Sequence, residues 1–431
     1  MKKHTFYGLS NFLILWSTQS ISQLGSSMTG FVLTLWAYNQ THSAFAVSLM
    51  TFCNYVPYII LSLFAGSFVD RHSKKAIMLI ADSLAALGTI AVFCLMIAGR
   101  LEIWHIYLVN AIVGCSNAFQ QPASSVAVFR LVPEEKLEMV SGMNSFSMNL
   151  VTIASPVLAA FCYGVFGMGS VLLIDIVSFV AAFLVLLLLI EIEEEKDTVQ
   201  KTSLFSGTTQ GWHFLWKNRG LLVMMLTMAA INFFSRLTYE NILSPMILAR
   251  SGENNMVLGL VNAAMGIGGI AGGIIVTMKK ETKNRVRMMY GSAALSFFLG
   301  DILMAVGRNG IFWSIAGIAA SLPIPFIMAA NNVIMYSKVP QDMQGRVFAV
   351  RNAIQYSTIP IGILLGGVLA DYVFEPFMMS DAPIVPILEK LVGTGAGSGM
   401  ACMFLCTGML GFIISCVSYK NKDIQALNEI E

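Results

Sequence analysis

Asn232, Arg236 and Glu240 recur every fourth residue in an otherwise apolar stretch, so on a helix they share one face. A guanidinium and a carboxylate one turn apart can pair. A neighbouring cation and burial pull such an acid in opposite directions, so a ligand that drew Arg236 away would leave Glu240 able to take up a proton. That is proton-exchange chemistry, and its competitor is a static pair that fixes helix packing. Asp82, Asp175 and Asp301 also interrupt apolar runs. Ionisable groups in such runs are costly and default to functional candidates, and Asp175 joins Glu240 and Arg236 as a candidate for proton coupling. Other chemistries lack their residues. The histidines (His4, His42, His72, His105, His213) fall near the ends of apolar runs, and the 7 cysteines show no CxxC or mixed Cys/His spacing, so no metal is expected. No glycine-rich loop ending in Lys-Ser/Thr is present, so neither ATP hydrolysis nor a bound cofactor is expected.

The elements that would carry these groups follow from composition. The chain has 431 residues, of which 56% are hydrophobic and only 12% charged, about half the charge of a soluble domain. The apolar residues come in runs of roughly twenty, the length that crosses a bilayer as helix, without the short alternating strands of a membrane barrel. This is an all-α integral membrane protein. Twelve spans are expected, at about 11–38, 44–68, 75–98, 103–129, 138–165, 169–190, 221–248, 255–277, 286–306, 311–337, 343–372 and 394–418.

An even number of spans puts both termini on one side. Of the 26 Lys and Arg, Arg100, Arg250, Arg308 and Lys390 lie in the loops of one face and Arg236 within a span; the other 21 lie on the opposite face. By the positive-inside rule both termini are cytoplasmic, and the basic balance carries no implication of nucleic acid. The first apolar run lacks a cleavage site and is expected to be a retained helix. The longest internal loop, about 191–220, divides the chain into halves 1–190 and 221–431. Trp212, Leu215 and Trp216 near its end suit a short helix on the membrane surface. An offset of 207 residues carries Gly66 to Gly273 and Val132-Pro133 to Val339-Pro340, the mark of two related six-span halves.

One charged turn between spans is specific. Gly66, Asp70, Arg71, Lys74 and Lys75 lie between spans 2 and 3, and their spacing resembles the loop between helices 2 and 3 of major facilitator superfamily transporters. Gln120-Gln121-Pro122-Ala123 ahead of Val132-Pro133-Glu134-Glu135, the loop from Val339 to Phe348 with Gly345 and Arg346, and Phe374 to Met378 resemble the macrolide-efflux branch of that superfamily. Two positions depart from the drug–proton antiporter pattern. Asn110 stands where span 4 usually carries an arginine, and Ser155 precedes Pro156 where a glycine is usual.

The resemblance implies two pseudo-symmetric six-helix halves, alternating access around a midplane cavity, and a gating role for Gly66, Asp70, Arg71, Lys74, Lys75, Gly345 and Arg346. It implies that spans 1, 4, 7 and 10 line the cavity. Gln19 and Gln23 on span 1, Asn110 on span 4, Asn232 and Phe234 on span 7 and Asn331 on span 10 are the cavity candidates. It places Asp82, Asp175 and Asp301 on supporting spans. The expected protein is no enzyme. It is a monomeric secondary exporter in a bacterial cell membrane, moving amphipathic, macrolide-like molecules against protons. Export of an endogenous siderophore or lipid-like metabolite is the alternative. A non-transporting sensor or scaffold is a third reading, though no loop or tail exceeds about thirty residues.

Overall fold

The computed structural model describes residues 2–132, 136–190, 204–278 and 284–428. Within these segments the side chains of residues 2–10, 63, 66, 67, 70, 71, 129, 130, 137, 138, 141, 142, 145, 204–210, 341, 342, 345, 349 and 356 lie outside the description. Every described element is helical. In the first half, α1 (Lys2–Thr41), α2 (Ala44–Arg71), α3 (Lys74–Ile97), α4 (Ile103–Leu131), α5 (Leu137–Phe166) and α6 (Met168–Leu188) are spans 1 to 6. A linker helix α7 (Leu204–Lys217) follows. Span 7 is α8 (Arg219–Thr238) with α9 (Leu243–Ser251), and span 8 is α10 (Asn255–Met278). Span 9 joins α11 (Arg285–Leu295) to α12 (Ile302–Val306) through a π-helical turn, Ser296–Asp301. Span 10 is α13 (Gly310–Ser321) with α14 (Ile324–Lys338). Span 11 runs from α15 (Gln341–Leu369) through a second π turn, Ala370–Phe374, into α16 (Glu375–Met378). The short α17 (Val385–Val392) precedes span 12, α18 (Ser398–Lys420), and α19 (Lys422–Gln425) is followed by a 3-10 turn, Ala426–Asn428, the last described residues.

Among the described residues, 10 helical segments are long and apolar enough to cross a membrane. The helices α1 and α4, with 40 and 29 residues, fall outside that set and stand where the expected spans 1 and 4 lie, consistent with twelve. Both carry polar stripes that dilute their apolar character, Gln19 to Ser27 in α1 and Asn110 to Gln121 in α4.

The chain divides into two compact units, Met1–Thr41 with Leu49–Gln200, and His42–Ser48 with Lys201–Glu431. In the first, α1 packs on α5 and α6, and α3 on α4 and α6. In the second, span 7 packs on spans 11 and 12 and span 9 on spans 10 and 12, the same neighbours six spans later. The first turn of α2 clusters with the second unit. The linker helix joins that unit too: Leu215 is fully buried in its core, while Trp212 and Trp216 stay exposed. The single apolar face expected of Trp212, Leu215 and Trp216 is therefore split, because α7 docks on α15 through Gly211 and Leu215.

Glycines set the closest helix contacts. A Cβ on Gly114 of α4 would run into the carbonyl oxygen of Asn54 on α2, and one on Gly272 of α10 into that of Leu322 in span 10. With no force between apolar helices in lipid beyond close packing and hydrogen bonding, such approach is what holds them together. The neighbouring Gly273 has nothing within 4 Å of its Cβ position. Gly272→Ala should therefore cost about 1–3 kcal/mol through overpacking, whereas Gly273→Ala should be neutral or stabilise by up to about 1 kcal/mol through helix propensity. Thermal unfolding of the purified protein measures both; equal effects would refute this contact.

Candidate functional site

Span 7 is broken in the middle. Pro245 has no N–H to give the carbonyl of Asn241, and α8 gives way to α9 across Tyr239 to Ile242. Discontinuous membrane helices of this kind are where transporters build binding sites. The polar residues of span 7 gather at the break. Arg236 donates from Nη1 to Oε1 of Glu240, and the two side chains are 29% and 33% exposed. The pair is accessible enough for a ligand to compete for either member. Asn232, one turn earlier, is half-buried on the same strip. Span 11 closes on this strip through glycine: a Cβ on Gly362 would sit 3.1 Å from Cβ of Arg236. Asn241, 1% exposed, donates from Nδ2 to the carbonyl of Ile363 at 2.6 Å, tying the break to the same helix.

The break also reaches inward. The Tyr239 hydroxyl donates to Oδ1 of Asp301 at 2.8 Å, and Thr407 on α18 donates to Oδ2 at 3.2 Å. Asp301 closes the π-helical turn of span 9 and is 1% exposed. Single π turns inside α-helices are frequent at functional positions. Here the turn aims a carboxylate at span 7, so Tyr239 stands between the buried Asp301 and its exposed chain neighbour Glu240.

In the first unit both acids and several hydroxyls are taken up by contacts between helices. Asp175 on α6 is 4% exposed and accepts from Ser26 of α1 at 2.8 Å and Thr89 of α3 at 3.0 Å. Gln19 donates to Asp82 at 3.2 Å, and the hydroxyls of Ser20 and Ser27 meet those of Ser147 and Ser155 at 2.7 and 2.8 Å. The serine at 155, in place of the usual glycine, thus finds its own partner on α1. Asn110 bonds back to the carbonyl of Ile106 at 2.9 Å, and its own carbonyl accepts from Asn54. Gln23 is exposed, Asn331 is half-buried, and Phe234 packs against the core of the second unit.

Of the expected gating residues, Gly66, Asp70 and Arg71 lie in the last turns of α2, and the side chains at these positions and at Gly345 lie outside the described residues. Lys74 is 3% exposed. Lys75 donates from Nζ to the carbonyls of Leu187 at 2.9 Å and Ile190 at 2.7 Å, placing a cation at the C-terminus of α6 where the helix dipole favours it. Arg346 is exposed and reaches Sδ of Met343 at 3.6 Å.

Two carboxylates that sequence reasoning passed over stand one turn apart at the other end of span 11. Asp371 accepts from the Ser43 hydroxyl at 2.5 Å and from the backbone N–H groups of Ala44 at 3.1 Å and Phe45 at 2.9 Å, capping α2. Glu375 accepts from the N–H groups of Gly397 at 3.3 Å and Met400 at 3.0 Å, capping α18. Their four-residue spacing at a span end was the available signal. Among the described residues no group of three His, Cys, Asp or Glu stands close enough to hold a metal.

Comparison with known proteins bears on the family and the fold. The family model of the Major Facilitator Superfamily matches residues 15–373. The chain is 25% identical over 396 residues to Macrolide efflux protein A of Streptococcus pyogenes, covering 90% of this chain and 96% of that protein. It is 23% identical over 353 residues to the multidrug efflux pump Tap of Mycolicibacterium fortuitum, covering 76% and 81%. Among solved structures, the nucleoside transporter NupG shares the fold with a TM-score of 0.68 at 14% identity, over 95% of this chain and 100% of that one. An inward-facing bacterial homologue of ferroportin aligns with a TM-score of 0.67 at 14% identity, over 96% and 99%.

The two hydroxyls on Asp301 predict a graded response. Asp301→Ala strands both and should destabilise the purified protein by about 1–3 kcal/mol, while Asp301→Asn keeps an acceptor for Tyr239 and should cost less. Thermal unfolding decides, and equal losses would show that the carboxamide does not replace the acid in this network.

Proposed function

The chain belongs to the Major Facilitator Superfamily, whose members are transporters rather than enzymes, and from that premise we propose that it is a proton-driven exporter of amphipathic, macrolide-like molecules. It sits in a bacterial plasma membrane with both termini in the cytoplasm and works by alternating access. The observation that carries the coupling is the Arg236–Glu240 pair at the break of span 7. A substrate that engages Arg236 releases Glu240 to bind a proton, and deprotonation restores the pair and expels the substrate. The likeness to Macrolide efflux protein A and to Tap supports the substrate class. Phe233, whose ring meets Phe234 edge-on at 5.7 Å, supplies apolar surface beside the pair.

Gating rests on a different carboxylate. Alternating access requires contacts at each mouth that form in one state and break in the other. The hold of Asp371 on the first turn of α2, three hydrogen bonds to a single side chain within the second unit, is proposed as one of them. It stands in addition to the proposed role of Asp70 and Arg71 at the opposite face.

Cells producing the protein should accumulate less of a macrolide than cells without it, and a proton uncoupler should erase the difference. Accumulation that is unchanged by the protein defeats the export reading; a difference that survives the uncoupler defeats the proton coupling. In membrane vesicles Glu240→Gln should abolish pH-driven uptake while leaving substrate binding in place. Asp371→Ala should remove a helix cap, a loss of about 1–2 kcal/mol, and slow transport with binding retained. Faster amide hydrogen exchange at Ala44 and Phe45 would locate the effect; unchanged exchange there would contradict it.

A further inference from the structure

Below the Tyr239–Asp301 network, in the half of span 9 that begins at the basic face, an open crevice of about 470 Å³ lies between α11 and the junction of α13 and α14. Arg287, Gly291 and Leu295 form one exposed strip along α11, four residues apart, and Leu322, Pro323 and Phe326 make the opposite wall. The strip runs about 12 Å from the charged end into the apolar body of the span. A Cβ on Gly291 would meet nothing within 4 Å, so the glycine opens the floor of the crevice and serves no helix contact. At the mouth, the Arg287 guanidinium makes no hydrogen bond or ion pair with any described residue. In sequence it is the last of five basic residues, Lys279, Lys280, Lys283, Arg285 and Arg287, with Glu281 the lone acid among them.

A crevice with a guanidinium at the membrane surface and an apolar trough below matches an amphiphile with an anionic head. Basic pockets between spans on the cytoplasmic side are the sites where phosphate headgroups bind, and guanidinium is the side chain suited to phosphate. A cationic drug is excluded from the mouth by charge. We propose that this crevice is a binding site for an anionic glycerophospholipid of the cytoplasmic leaflet, its phosphate on Arg287 and one acyl chain along Gly291 and Leu295 against Phe326. The inference rests on the membrane reading and on the basic face being cytoplasmic. It does not depend on what the protein exports.

The probe is phosphatidylglycerol against phosphatidylcholine with the same acyl chains, added to the purified full-length protein in detergent. Native mass spectrometry reads the lipid retained, and thermal unfolding reads its effect. The wild type should retain phosphatidylglycerol over phosphatidylcholine by about fivefold, the factor that one Arg supplies near an anionic surface. Arg287→Gln should bring the two lipids to parity without altering the unfolding temperature in detergent alone. Gly291→Leu, whose Cβ meets nothing within 4 Å and whose side chain projects into the trough, should lower retention of both lipids. Equal retention of the two lipids by the wild type would overturn the proposal. So would a phosphatidylglycerol preference that persists in Arg287→Gln, or full retention in Gly291→Leu. Neither readout involves transport, so the site stands or falls separately from the drug-export reading.

Discussion

A carboxylate inside a bilayer has no water to turn to, and this constraint gives each unit of the protein a buried acid on which three helices converge. Leaving such a group unsatisfied would cost several kcal/mol, so three helices are drawn together to supply donors. In the first unit Asp175 on α6 collects hydroxyls from α1 and α3. In the second, Asp301 on span 9 collects hydroxyls from span 7 and α18. The acids do not occupy equivalent spans. Among spans 3 and 6 the acid rides on span 6 and the threonine on span 3; among spans 9 and 12 the acid rides on span 9 and the threonine on span 12. The common requirement is a carboxylate and a hydroxyl facing each other beneath the first span of each half, and either helix can bring either partner.

Small residues make this convergence possible. Gly25 precedes Ser26, and a Cβ there would collide with Ser178 and crowd Asp175; Gly408 follows Thr407, and a Cβ there would press on Asp301. Beside Ser26 and beside Thr407, glycine is what lets the helices come within hydrogen-bond reach. Hydrogen bonding and glycine packing are thus one device here: the close approach that helices in lipid need for association is the same approach that satisfies the buried acids.

Much of this was legible in the chain. Runs of apolar residues give the membrane-spanning helices, because hydrocarbon admits few other backbone arrangements. The four-residue recurrence of Asn232, Arg236 and Glu240 does place an ion pair on one face. What escaped has physical reasons. The polar stripe of span 1 reads equally well as a cavity lining or as interhelical glue, and only tertiary structure shows Ser20, Ser26 and Ser27 each meeting another helix. The break in span 7 is written in Pro245, but a proline in a membrane helix is compatible with a kink, a break or neither. Asp371 near the end of span 11 looks like an ordinary loop charge until the N-terminus of α2 is found on it, with the donor N–H of Phe45 326 residues away in sequence.

The two acids differ in what stands behind their donors. Ser26 is a short side chain on an unbroken helix, and it links Asp175 to nothing beyond α1. Tyr239 is long, lies at the break, and directly precedes Glu240. Its hydroxyl is therefore tied to a fixed acid on span 9 while its backbone belongs to the one stretch of span 7 that lacks regular helix. Any change in the Arg236–Glu240 pair that moves the break must pull on Tyr239, and through it on the junction of spans 7, 9 and 12. Among the described residues the first unit shows no such connection from Asp175. Two halves that repeat the same helix contacts thus differ in what their acids hold: one joins three unbroken helices, and the other anchors the segment that carries the Arg236–Glu240 pair.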